Sequence, residues 1–377
     1  MKKIFLNTVF LFGICLSGCT SDIPIEIQEE PITQEQAKTM HEDEVILLED
    51  TPIAHKETEI LRGFNWGWWN TAQPGDASEA KSFGANTIRI PFRWYFSGKA
   101  SNSRQTDAPG HIDPEKLKII DQNLDWCADA GMHVIFFAGS DFGAGDAEQN
   151  FWTDEKLRTE FFETWQFLTD RYQNRDEIFA FEILSEPHPN VPATEVKQFY
   201  AEGIAAIREI DPKRKIIIGP PDRYDIAQLE SVWFPEVENL WYTFNYYLPK
   251  SYTHTPQRKK KNLPLITYPG TITIDRNKEI FDRNLLKKML IPALDFRTKT
   301  GETIFINQVG VRSEAPGHLE YLRDVLEIFD ENKIGWTYWT YRTRSDANEH
   351  GLYWRDADEN YHLKTDQLEI LKSALQK

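Results

Sequence analysis

From Ile60 onward the chain alternates short apolar runs with longer stretches in which apolar residues recur every three or four positions. The runs are ILRGFN (60–65), ANTIRI (85–90), HVIFFA (133–138), IFAFEIL (178–184), KIIIG (215–219), LWYTFN (240–245), TIFINQ (303–308) and IGWTYW (334–339). Short runs rich in β-branched and aromatic residues suit buried strands. The stretches between them, about 75–82, 114–130, 153–173, 193–209, 225–231, 283–299 and 316–331, with 364–376 closing the chain, suit amphipathic helices. One helix carries its own boundary marks. Asp113 can cap it, Pro114 suits the first helical position, Leu117, Ile120, Leu124 and Cys127 share a face, and Gly131 ends it. Eight strand–helix units over about 310 residues predict a (β/α)8 TIM barrel. A doubly wound open sheet competes, but no glycine-rich phosphate loop follows the first strand.

In a barrel, chemistry gathers where strands end C-terminally and feed the loops. Those ends hold Asn65 and Trp66, Arg89, Gly139-Ser140-Asp141, Ser185-Glu186-Pro187, Asn245-Tyr246-Tyr247, Asn307-Gln308 and Trp339. The long loop after the sixth strand, with Tyr252 and Tyr268, is expected to wall a cleft. Glu186 reads either as a general acid or as an acid that favours the N-terminus of the following helix. Gln308 is an amide, which neither attacks nor gives up a proton at neutral pH.

Upstream of the barrel the pattern changes. Lys2 and Lys3 precede an apolar stretch from Ile4 to Leu16, too short to span a bilayer as a mature helix. Leu16-Ser17-Gly18-Cys19 then matches a bacterial lipobox, predicting a cleaved signal over 1–18 and a lipid on Cys19. Residues 19–57 are acidic, polar and without period, apart from a short strand expected at 45–48. They read as a flexible tether, leaving the barrel over 58–377. The expected location is the bacterial envelope, with membrane contact through the lipid only. After cleavage and lipidation Cys127 is the one thiol left, so no intramolecular disulfide forms.

Charge and composition narrow the function. The formal net charge of −16, with no basic patch evident for a phosphate backbone, argues against nucleic acid. The one basic run, Arg258 to Lys261, reads as a solvated loop. Twelve Trp, fourteen Tyr and twenty-three Phe read as a large aromatic core that takes most of the Phe, with some rings left to stack on planar groups or sugars. The nine His show no metal-ligand spacing, and there is no Gly-x-Ser-x-Gly elbow. No cofactor or metal is expected, and a monomer is expected.

The stretches RGFNWGWW, GANTIRIPFRW, LDWCADAGMHVIFF, FEILSEP, WYTFNYYLP, IFINQVGV and GWTYWTYR occur in an order that resembles glycoside hydrolase family 5, the cellulases and β-mannanases, over about residues 58–375. That family cleaves β-linked polysaccharide with two glutamates about 5–5.5 Å apart, one donating a proton and one attacking the sugar. The resemblance puts Glu186 at the acid and Gln308 at the nucleophile. It also implies substrate-binding roles for Arg89, Tyr247 and Trp339, with Trp66 and Trp94 as further stacking candidates. Three more positions depart from the family pattern: Ser185 replaces an asparagine, Asn245 a histidine, and Gly139 a histidine. A substitution made to trap substrate would explain Gln308 alone, whereas natural loss of hydrolysis explains all four. The expectation is a cleft that binds β-linked saccharide with little or no hydrolysis, with Glu186 ionised near its ordinary value of about 4.3. The alternative is an active endo-acting hydrolase, inverting through Glu186 and a loop acid such as Asp141.

Overall fold

A computed structural model describes residues 59–67, 71–94, 103–139, 151–188, 190–254, 265–342 and 350–377. The lipobox, Cys19, the tether, Asp141 and the Arg258–Lys261 run lie outside the described residues.

All eight apolar runs form strands: β1 Arg62–Asn65, β2 Thr87–Arg93, β3 His133–Gly139, β4 Ile178–Glu182, β5 Lys215–Ile218, β6 Leu240–Tyr246, β9 Thr303–Val309 and β10 Gly335–Tyr338. They close a parallel barrel in the order β1-β10-β9-β6-β5-β4-β3-β2. Two antiparallel hairpins that the periodicity did not predict are β7 Gly270–Ile274 with β8 Asn277–Phe281, and β11 Tyr353–Arg355 with β12 Tyr361–Leu363. The longer helices are α1 Asp76–Ser82, α2 Pro114–Asp129, α3 Glu155–Tyr172, α4 Ala193–Arg208, α5 Arg283–Thr300, α6 His318–Glu331 and α7 Thr365–Leu375. Helix α2 starts as its sequence predicts: the Asp113 carboxylate accepts from the Glu115 amide at 2.8 Å, and Pro114 opens the helix. Cys127 packs on its buried face as a free thiol. Among the described residues no helix is long and apolar enough to cross a membrane.

Strand alternation divides the apolar residues between two cores. Ile304 and Ile306 of β9 join the large cluster between strands and helices. Phe305 points the other way, into a small cluster inside the barrel with Leu61, Ile135, Ala180, Ile217 and Trp241. Asn307 follows Phe305 inward, so strict alternation would send Gln308 outward, toward the helices. It does not go there, because β9 carries one extra residue. Ile306 and Val309 oppose Trp336 and Tyr338 of β10, which leaves Asn307 and Gln308 facing Thr337 alone. On the β6 side the register likewise jumps from Phe244↔Ile306 to Asn245↔Gln308. Such a bulge re-aims a side chain, and here it brings Gln308 to the cleft.

The long β6–α5 segment lines the cleft, as expected, through Tyr247, Lys250 and His254, but not through the two rings expected to do so. Tyr252 and Tyr268 do not wall the cleft. Both are buried, in an aromatic cluster with Phe281 and Tyr321. Their hydroxyls bond inward, Tyr252 to the Pro316 carbonyl and Tyr268 to Asp324.

Candidate functional site

Above the apolar plug, the barrel lumen is filled by one hydrogen-bonded polar layer. Arg89, on β2, and Glu182, at the end of β4, are both fully buried and meet fork to fork. Nε donates to Oε2 at 2.7 Å and Nη2 to Oε1 at 2.6 Å. The guanidinium also donates to Asn65 Oδ1 and Ser185 Oγ, each at 2.8 Å, and lies over the Phe137 ring. Glu182 Oε1 accepts two further bonds at 2.9 Å, from Asn307 Nδ2 and from the Tyr224 hydroxyl. A buried ion pair survives desolvation only when its remaining donors and lone pairs are used in this way.

On this layer rests a cleft of about 490 Å³. Ser185, Glu186, Asn245, Tyr247, Gln308 and Trp339 all line it, so six of the eight expected site residues come together there. The other two are corrections. Arg89 lies beneath the floor with no exposed surface, and its donors are spent on Glu182, Asn65 and Ser185. It positions Ser185 rather than meeting a ligand. Trp66 is only 2% exposed and belongs to the outer core. Trp94 is buried as well, its indole donating to Thr164. Packing took both rings.

Glu186 lies four residues beyond the end of the short β4, at φ 53, a left-handed conformation that costs a non-glycine residue about 1–2 kcal/mol. Its Oε1 accepts from Asn245 Nδ2 at 2.6 Å. Burial pushes its carboxyl above the usual range, opposed by the Asn245 bond and by the charges of Arg89 and Arg223. The expected ordinary carboxyl is thus corrected in direction: desolvation at the cleft floor outweighs the Asn245 bond and the nearby cations. Across the cleft, the Tyr247 hydroxyl donates to Gln308 Oε1 at 2.8 Å. Among the described residues lining the cleft, Glu186 is the one carboxylate. Neither other acid near β9 replaces a partner for it. Glu302, at the opposite end of the strand, meets the Trp233 indole, and Glu314 pairs with Arg312 at 3.2 Å.

Several cleft residues escaped the sequence reading. His254 and His350 lie with ring centroids 5.0 Å apart, and the Tyr247 ring is 4.4 Å from His254. Burial, with the charges of nearby cations, lowers His254 to about 4 and His350 to about 3, so both are neutral at pH 7. Arg93, Arg223, Lys250 and Arg312 complete the charged lining. Arg93 ends β2 within the quoted stretch GANTIRIPFRW but was not singled out there; Arg223, Lys250 and Arg312 lie in segments that follow strands and belong to none of the quoted stretches. Gly139 also lines the cleft, where a side chain would meet Phe92, Arg93 and Pro91 at ordinary contact distance. Among the described residues no group of three or more His, Cys, Asp or Glu could hold a metal ion.

Known proteins share this architecture. The solved clostridial cellulose synthase subunit Z of Clostridioides difficile overlays with a TM-score of 0.66 at 24% identity, covering 83% of this chain and 99% of that one. The endoglucanase of Thermotoga maritima gives 0.66 at 22% identity, covering 82% and 96%. Those overlays establish the fold. In sequence, endoglucanase C of Acetivibrio thermocellus is 25% identical over 286 residues, which cover 69% of this chain and 80% of that protein. The profile of cellulase (glycosyl hydrolase family 5) matches residues 53–345. The chain therefore belongs to glycosyl hydrolase family 5.

Proposed function

We propose that this protein is a family 5 barrel that holds β-linked saccharide with little or no hydrolysis. One observation carries the reading: among the described residues the cleft offers a single carboxylate, Glu186, and the amide of Gln308 stands where a second is expected. A retaining pair needs two carboxylates, one of which attacks the sugar. An amide oxygen is a weak nucleophile and brings no full negative charge to a developing oxocarbenium ion. With Oε1 taken by Tyr247, Gln308 keeps its amide hydrogens for a ligand hydroxyl. Trp339 and Tyr247 supply ring surface for stacking, while Ser185 and Asn245 supply polar contacts. Titrate the protein calorimetrically with cello- and manno-oligosaccharides and analyse the ligand afterwards. Saturable binding with intact ligand supports the reading; absence of any binding sinks it.

The raised carboxyl of Glu186 favours a second reading. A carboxyl that holds its proton more tightly suits a general acid, and the relatives named above include endoglucanases. An endo-acting hydrolase of that kind would need a base from a residue such as Asp141.

The same proposal includes an envelope lipoprotein. The motivation is the lipobox at Leu16 to Cys19, after which residues 19–57 tether the barrel. One acyl chain binds membranes only marginally, whereas several anchor stably. Cys19→Ala should move the protein out of the membrane fraction. Recovery of the variant in the pellet, like the parent, contradicts the anchor.

A further inference from the structure

The charge lining the cleft runs against the charge of the chain. The protein carries −16, yet its described cleft residues include four cations, Arg93, Arg223, Lys250 and Arg312, against the lone acid Glu186. The two histidines there are neutral, and Lys250 and Arg312 help to keep them so. Part of this charge is answered within the protein, because Arg312 pairs with Glu314. Arg223 and Lys250 are placed differently. Lys250 is exposed at the mouth. Arg223 is half-buried beside Glu186, close enough to act on its carboxyl.

The backbone around Arg223 is built to hold it there. Asp222, Arg223 and Tyr224 have φ of 55°, 56° and 64°, three consecutive non-glycine residues in the left-handed region. Such a run costs several kcal/mol unless the surroundings hold it, at about 1–2 kcal/mol per residue. Here they do. The Arg223 amide donates to the Pro187 carbonyl at 2.9 Å, its carbonyl accepts from Asn245 Nδ2 at 3.3 Å, and the Tyr224 hydroxyl reaches Glu182. The strained turn therefore ties the Arg223 backbone to Asn245, the partner of Glu186, and Tyr224 to the polar layer. Cations gathered in one cleft repel each other in the free protein, and a bound anion relieves that repulsion. Hydroxyls of a neutral glucan do not, since amides and rings satisfy them without net charge.

We propose that the cleft is built for an acidic saccharide, a sugar unit bearing a carboxylate or a sulfate group, with Arg223 and Lys250 as its anion contacts. This rests on the saccharide-binding reading above and adds the class of ligand. A planar guanidinium grips a carboxylate or sulfate through two parallel bonds, and the ammonium adds a mobile second charge.

The test is calorimetric titration with three oligosaccharide sets of equal length: neutral cello- and manno-oligosaccharides, oligouronides, and sulfated gluco-oligosaccharides. At low salt at least one acidic set should bind about tenfold or more tighter than the neutral set, with the margin shrinking as salt is raised. Which acidic set wins identifies carboxylate or sulfate. Arg223→Gln with Lys250→Gln should erase the margin, read in each protein as the ratio of acidic to neutral affinity. Lys250 is exposed, so Lys250→Gln alone, which should narrow the margin, keeps the test decisive if Arg223→Gln disturbs its turn. Neutral ligands binding as tightly as acidic ones, or a margin that survives the variants, overturns the acidic assignment while the saccharide reading stands. If no set binds, both fall.

Discussion

Arg89→Met should lower the folding stability of the barrel by about 3–5 kcal/mol, the cost of stranding Glu182 as a buried carboxylate without its cation. Glu182 has no exposed surface, and its other partners, Asn307 and Tyr224, are neutral donors. The same change frees Asn65 Oδ1 and Ser185 Oγ, so the loss spreads through the polar layer to the cleft wall. Glu182→Leu should also be costly. The double variant should cost less than the two single losses added together, because each single change leaves an unpaired charge and the double leaves none. Urea melts of the parent, the two singles and the double measure this. A loss below about 1 kcal/mol for Arg89→Met would show that the pair contributes little and that the layer does not hold the cleft floor.

Gln308→Glu alone should recover at most a small part of the hydrolysis of a family member with both glutamates. The parent should lie two to three orders of magnitude or more below such an enzyme. Charge stabilisation by one well-placed group is worth roughly 3–4 kcal/mol, or about 10²–10³ in rate, before covalent catalysis is counted. Restoring the carboxylate returns the charge beside the Tyr247 donor. It does not return the groups that the family resemblance expects around it, where Ser185, Asn245 and Gly139 now stand. A site loosened by about 1 Å already loses heavily. Single-turnover assays of reducing-end release on β-glucan and β-mannan compare parent and variant. Full family-level turnover in Gln308→Glu would mean that the amide was the sole defect.

The barrel was legible because its signals are local. Each strand is a short β-branched or aromatic run, and Asp113 and Pro114 mark a helix start without any tertiary information. The site was only partly legible, because it depends on what happens between elements. Alternation along β9 points Gln308 away from the lumen, and only the bulge at Asn307 and Gln308 turns it back. Trp66 and Trp94 stand at strand ends just as Trp339 does, yet packing took the first two and left Trp339 on the cleft. Arg89 is placed as a substrate contact by resemblance, but Glu182, four residues before Glu186 and unremarkable in sequence, holds it below the floor. Glu186 itself was expected in water and is instead dominated by desolvation. The cations of the cleft come from separate segments, so no motif announces them.

The proposed lack of hydrolysis rests on Glu186 having no second carboxylate beside it among the described cleft residues. It is tested most directly by reducing-end release from β-glucan, β-mannan and an oligouronide, with the parent protein and Glu186→Gln assayed side by side at equal concentration. The account predicts the same background rate for both proteins while both still bind saccharide. Robust turnover by the parent that disappears in Glu186→Gln would contradict it and establish a working hydrolase.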